Sequence, residues 1–231
     1  MLGAIDKGAN VLDVDNSSMD GLIATDTNVL LYAFGYEIGM DNNILDKNDR
    51  NNDYSKAYNS FITNVSKTGT ILVYTYTNIN EIRTVAQRMV AIKKGEELGL
   101  TKNEAKSNWK TTFQQGKNLS EKSNQFANNI LEVLSALPYI LYIEQETNQA
   151  AIDLSGELLR KYSIDSNDAT IIANAMLSGI NSVVSHDYMF KDVCGINLYT
   201  KNAKILNDAG QVSTTPINFE VTSNLYNLKN S

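Results

Sequence analysis

Four carboxylates in this 231-residue chain stand where an acid can do chemistry. Asp26 ends the apolar start of LIATDTNVLLYAF (22–34), Glu81 lies in NINEIRTVAQRM, Asp168 in SIDSNDATIIANAML and Asp187 in VVSHDYMF. Singly, each has an ordinary structural use. Asp26 suits the N-cap of a strand-to-helix turn, and Asn78 to Glu81 has the spacing of a capping box. Asp165 or Ser166 suits the cap of a periodic helix whose first turn holds Asp168, where the helix dipole favours an anion; Asp187 suits the first turn of YMFKDV. Their shared position argues for more. Each acid lies just beyond a strand or in the first turn after a strand or loop, and a parallel sheet gathers such positions along one edge. Converging carboxylates repel and raise one another's pKa values, whereas a divalent cation keeps them ionised and makes the cluster favourable. Ligands that are all oxygen suit Mg²⁺ or Mn²⁺.

The elements that must position these acids follow from the apolar pattern. Strands are expected at 22–24, 70–74, 139–143 and 182–184, with a weaker one at 196–199. Between them, Tyr54, Tyr58, Phe61, Ile62 and Val65 recur at helical spacing, as do Ile79, Ile82, Val85, Met89 and Ile92, and then Ile130, Leu131, Leu134 and Leu137 before Pro138. Strands alternating with helices imply a three-layer α/β/α sandwich around a mainly parallel sheet. The domain is expected over 21–210, with an N-terminal extension at 1–20, a helical basic insertion at about 93–122 and a C-terminal tail at 211–231.

Composition narrows the function. A net charge of −6 and a pI near 4.9 argue against a protein that coats nucleic acid electrostatically, so any such contact must be local. Cys194 is the single cysteine, which excludes an internal disulfide and a site built from several thiolates; its expected place is in the core. The first twenty residues lack the basic start and apolar stretch of a signal peptide, and nowhere do about 18 apolar residues run together. A soluble, cytoplasmic chain is expected. The loop 41–53 spaces its acids like a calcium loop, but Tyr54 follows Asp53 where the turn glycine would stand, which argues against one.

With these residues in view, the chain resembles the PIN-domain nucleases. The matching stretches are TDTNVLLYAF, NINEIRTVAQRM, SNDATIIANAML and VVSHDYMF, in that order and in the same strand or helix context, spanning roughly 23–200. The resemblance implies metal-dependent cleavage of single-stranded or structured RNA, as in VapC-like toxins and RNA-processing nucleases. It carries the family's acidic quartet, as metal ligands and catalytic groups for Mg²⁺ or Mn²⁺, onto Asp26, Glu81, Asp168 and Asp187. Its polar support positions fall on Asn28 and Ser185, with Asp165 as an extra acid. Water would attack phosphorus, leaving a 5′-phosphate and a 3′-hydroxyl. The long basic segment, the leading residues and the tail exceed the compact toxin pattern.

A metal-free route through paired histidines is excluded, because His186 is the only histidine; an exposed loop position is expected for it. Two rivals belong to other classes. A noncatalytic RNA-binding or scaffold protein of the same fold would normally have lost some of the acids. An aspartate-nucleophile phosphatase usually needs a second acid two residues after the first, where this chain has Asn28.

The segment 93–122 holds seven lysines against four glutamates, a local charge of +3. If it is one helix through KSNWKTTFQQGK, then Lys106, Trp109, Lys110, Phe113 and Lys117 share a face. That face could clamp RNA through phosphate contacts and base stacking, or pack on the domain, or dock an antitoxin protein or a second copy in a homodimer.

Overall fold

The structure is a computed structural model that describes residues 8–19, 21–35, 38–39, 52–145 and 147–217. Six short strands form one all-parallel sheet: β1 (Asn10–Asp13), β2 (Leu22–Thr25), β3 (Ile71–Tyr74), β4 (Ile140–Tyr142), β5 (Ser182–Val184) and β6 (Asn197–Thr200), in the order β1-β6-β5-β2-β3-β4. The helices are α1 (Thr27–Leu30), α2 (Asn52–Thr68), α3 (Tyr76–Glu97), α4 (Lys102–Ser107), α5 (Trp109–Gln115), α6 (Leu119–Ala136), α7 (Gln149–Lys161), α8 (Ser166–Leu177) and α9 (Ala203–Asp208). A wide π-type turn, Leu31–Gly35, extends α1.

Alternation along the strands divides the apolar residues between two cores. Leu12, Ile23, Leu72, Val184 and Tyr199 face one layer, where Tyr58, Phe61 and Val65 of α2, Ile82 and Ala86 of α3, and Phe126, Ile130 and Leu134 of α6 cover them. Val11, Ala24, Val73, Val183 and Leu198 face the other, beneath Leu158 of α7, Ala169, Ile172 and Ala173 of α8, Phe190, and Ile205 of α9. Both faces are thereby buried, as an all-parallel sheet requires. No helix among the described residues is long and apolar enough to cross a membrane.

Three elements depart from the sequence reading. Residues 10–13, placed in the N-terminal extension, form the edge strand β1, in register with β6 from Asn10 opposite Asn197 to Asp13 opposite Thr200. The start of the expected tail folds onto it: Ser213 bridges Leu12, and Ile217 N–H donates to Asn197 Oδ1 at 2.8 Å. The basic segment is not one helix. It breaks at Asn108 and again at Gly116, so Lys106 lies on α4, Trp109, Lys110 and Phe113 on α5, and Lys117 in the turn before α6. The five do not form one helical face. The loop weighed for calcium lies largely outside the described residues.

Candidate active site

The strand order reverses at β2. The chain passes from β2 to β3 and β4 on one side and returns to β5 and β6 on the other, opening a crevice at the carboxyl ends of β2 and β5. Asp26 follows β2 directly and is 1 % exposed. It caps α1, with Oδ1 accepting Asn28 N–H at 3.1 Å, and Oδ2 accepts the Ser185 hydroxyl at 2.7 Å. Burial pushes its pKa up to about 6, with Glu81 and Asp187 adding to the rise and the Ser185 and Asn28 hydrogen bonds opposing it.

Asp187 is one strand over, after β5. Its backbone N–H donates to Ser185 Oγ at 2.9 Å, and its Oδ1 accepts Met189 N–H at 2.8 Å, so it is the N-cap of the short 3₁₀ turn Tyr188–Asp192 rather than a first-turn acid. Ser185, wholly buried, thus joins the ends of β2 and β5 through one hydroxyl.

Asp168 comes from α8. Asp165, not Ser166, is the cap: its Oδ1 accepts the N–H groups of Asn167 and Asp168 at 2.8 and 2.9 Å, fixing the first turn. Asp168 is 8 % exposed, and its carboxyl has no hydrogen-bond partner among the described residues. Burial first, and then the charges of Asp26, Asp165, Asp187 and Glu81, push its pKa up to about 8.

Glu81 is not the capping acid that its spacing suggested. Helix α3 starts three residues earlier, at Tyr76, and Asn78 Oδ1 takes the Thr75 N–H at 2.8 Å, so Asn78 supplies the cap contact and Glu81 falls in the second turn. There it accepts the Thr27 hydroxyl on Oε2 and Asn167 Nδ2 on Oε1, the latter at 2.8 Å. Thr27 and Asn167 escaped the sequence reading, which gave Asn78 a capping role only. Buried Asn78 also donates to Thr25 O at 2.9 Å and Thr27 Oγ1 at 3.1 Å, which ties α3 to the end of β2.

Asp26, Glu81 and Asp187 therefore all lie within electrostatic reach of Asp168, and Glu81 and Asp187 within reach of Asp26. The support positions meet Asp26 too, Asn28 through its backbone N–H and Ser185 through its hydroxyl. The lysines of the basic segment are exposed, with Trp109 and Phe113 half-buried beside them and Lys110 5.8 Å over the Trp109 ring.

The donor set is all oxygen, and the charges that act on Asp168 are acidic, as a site for a hard divalent cation requires. Thr25 Oγ1, next to Asp26, is buried with no hydrogen-bond partner. Among the described residues, however, no three His, Cys, Asp or Glu side chains stand in a ligating arrangement. The oxygens of Asp26 and Glu81 are held by protein donors instead, so ligation requires some of these to be exchanged.

His186 and Cys194 are not where the sequence reading put them. His186 is half-buried among Tyr32, Tyr54 and Tyr58 rather than exposed, and burial lowers its pKa against the opposing pull of Asp187. Cys194 is half-exposed in the loop before β6, its N–H on Tyr162 Oη at 3.2 Å, rather than in the core.

A parallel sheet layered on both faces, with buried acids at the carboxyl ends beside the reversal of strand order, defines an α/β protein with an acidic edge site. The PIN-domain family model matches residues 23–196, and the chain belongs to that family, whose members are generally nucleases that use divalent metal ions. The crystal structure of VapBC2 from Rickettsia felis, bound to a DNA fragment from their promoter, is similar at 14% identity and a TM-score of 0.46, with 78% of this chain and 98% of that chain covered. No curated protein matches the sequence.

Proposed function

We propose that the protein is a metal-dependent endoribonuclease whose Asp26, Glu81, Asp168 and Asp187 hold Mg²⁺ or Mn²⁺ and hydrolyse RNA phosphodiester bonds. The observation that carries this reading is the state of Asp168, a nearly buried carboxyl without a hydrogen-bond partner, surrounded by acidic groups and raised to about 8. A fold does not place four acids together at a cost in repulsion without a cation or a proton to offset it. When bound, a divalent cation acidifies a water and offsets the charge that builds on the phosphate. The chain's own part is positional. Ser185 and the Asn28 N–H orient Asp26, Asp165 fixes the turn that carries Asp168, and Asn167 with Thr27 holds Glu81.

On this reading the nuclease domain is residues 21–210 together with the edge strand 10–13 and the segment 213–217 that folds onto it, with 93–122 as a basic insertion. Lys106, Lys110 and Lys117 hold RNA phosphates, and Trp109 and Phe113 support them. A toxin role with an antitoxin partner, and a homodimer, belong to the same proposal; the comparison with VapBC2 lends them no weight at its level of similarity. One observation favours a second reading, a noncatalytic RNA-binding PIN-like protein: the oxygens of Glu81 are taken up by protein donors, and no ligating trio is preformed among the described residues.

Incubation of single-stranded RNA with the full chain separates the two readings. Cleavage that needs Mg²⁺ or Mn²⁺ and is lost in Asp26→Asn and Asp168→Asn supports the nuclease. RNA binding without cleavage in either metal supports the second reading.

A further inference from the structure

Beside the acids lies a cluster of rings that the proposed hydrolysis does not use. His186, between Ser185 and Asp187 in the chain, stands with its ring centroid 4.2 Å from Tyr54, 5.4 Å from Tyr32 and 5.8 Å from Tyr58. Tyr32 stacks on Tyr58 at 6.0 Å with 9° between the planes, and meets Tyr54 at 5.6 Å. The inner end is pinned. Tyr58 is wholly buried, its hydroxyl lies 3.0 Å from His186 Nδ1 and accepts Lys201 N–H at 3.3 Å, and Asn202 Nδ2 donates to His186 O at 2.8 Å.

The outer end is open. Tyr54, in the first turns of α2, is 38 % exposed although two other rings pack against it. A ring held from behind and bare in front gives up little freedom when another flat ring settles on it. Its neighbours also fix the occupant's chemistry, because the loop that carries His186 carries Ser185 and Asp187 on either side, and Ser185 bonds Asp26. The cluster and the acids are thus joined through one short loop, close enough in the chain for one ligand to meet both.

We infer that Tyr54, backed by Tyr32 and His186, is a stacking platform for one nucleobase of a single-stranded RNA whose backbone crosses the acidic edge. The inference rests on the nuclease reading and names the conformation of its substrate: unpaired at this position, with the base splayed out of any helix. Because every base has a π-face, the platform sets position along the strand more than base identity.

The test is a titration of the full chain into short single-stranded RNAs that carry 2-aminopurine at successive positions, with Ca²⁺ under conditions where no product forms. Quenching on binding is expected at one position only. Tyr54→Ala should lose that quench and bind about tenfold more weakly, within the range of a lost base–aromatic stack, and Tyr54→Trp should restore both. Tyr54→Leu, which keeps apolar packing without a π-face, should behave as Tyr54→Ala and guards against loss by misfolding, checked by thermal melting. Tyr54→Ala matching the parent in quench and affinity, or a parent that quenches nowhere, overturns the platform. RNA cleavage lost in Asp26→Asn but unaffected by Tyr54→Ala overturns the platform and leaves the nuclease. A Tyr54-dependent quench in a chain that cleaves no RNA upholds the platform and overturns the nuclease.

Discussion

Ser185 donates its hydroxyl hydrogen to Asp26 Oδ2 at 2.7 Å across 159 residues of sequence, and its own Oγ accepts the Asp187 N–H at 2.9 Å. One small side chain therefore sets the orientation of two acids on neighbouring strands. Ser185→Ala removes a bond to the charged form of Asp26 and leaves a buried carboxylate oxygen unpaired, at a cost of about 1 to 3 kcal/mol. The melting temperature should fall by about 2 to 4 °C per kcal/mol. The lost bond also raises the pKa of Asp26, so the acid limb of the pH profile of RNA cleavage should move to higher pH; an unmoved limb would show that Ser185 does not tune Asp26.

Asp168→Asn tests the combined effect of burial and acidic neighbours on this carboxyl. In the folded chain without metal the Asp168 carboxyl keeps its proton to about pH 8, while an ordinary aspartate releases it near 3.8. Between those values the folded state binds more protons than the unfolded one, so stability falls as pH rises through the window. Asp26, raised to about 6, acts in the same direction over a narrower range. Urea unfolding in a chelator should show the parent more stable at pH 5 than at pH 8. Asp168→Asn should flatten that difference, be the more stable of the two at pH 8, and cleave no RNA.

Metal binding should reverse this trend. Mn²⁺ or Mg²⁺ that binds only the folded chain stabilises it by about 2.7 kcal/mol at a hundredfold excess over Kd. Since ligation needs Asp168 ionised, binding near pH 7 should release a proton and tighten as pH rises. Calorimetry in two buffers of different ionisation enthalpy measures that proton. Asp187→Asn should weaken the metal-induced rise in melting temperature.

Lys106, Lys110 and Lys117 are exposed, so changing all three to Gln should leave the melting temperature nearly unchanged. If they meet phosphates, binding of single-stranded RNA weakens and the slope of log K against log salt becomes shallower by about 0.7 for each lost contact. Metal-induced stabilisation should not change. An unaltered salt slope would assign the segment to packing or to a protein partner.

Much of this fold is legible in the chain because its signals are local. The runs that became β2, β3, β4 and β5 are short, apolar and bounded by breakers, and the tyrosine, phenylalanine and valine spacing of α2 buries one face of a helix. Strand β1 is not legible. NVLD is four residues long, and only its pairing with β6, almost two hundred residues away, makes it a strand. Glu81 was misread as a capping acid because two overlapping cap signals, one from Thr75 and one from Asn78, compete; Asn78 Oδ1 on the Thr75 N–H, together with its bonds to Thr25 and Thr27, decides for the earlier start.

By itself the sequence determined that Asp26 and Asp187 follow strands, that Asp168 lies in a first helical turn and that Glu81 lies near the start of a helix, because strand and helix periodicity are written in consecutive residues. Only the tertiary structure decided what surrounds them. Burial and mutual repulsion raise Asp168 to about 8, Ser185 couples Asp26 to Asp187, and three tyrosines from two distant segments enclose His186. Desolvation and Coulomb repulsion depend on distances through space, and those exist only once the sheet has brought β2 and β5 side by side.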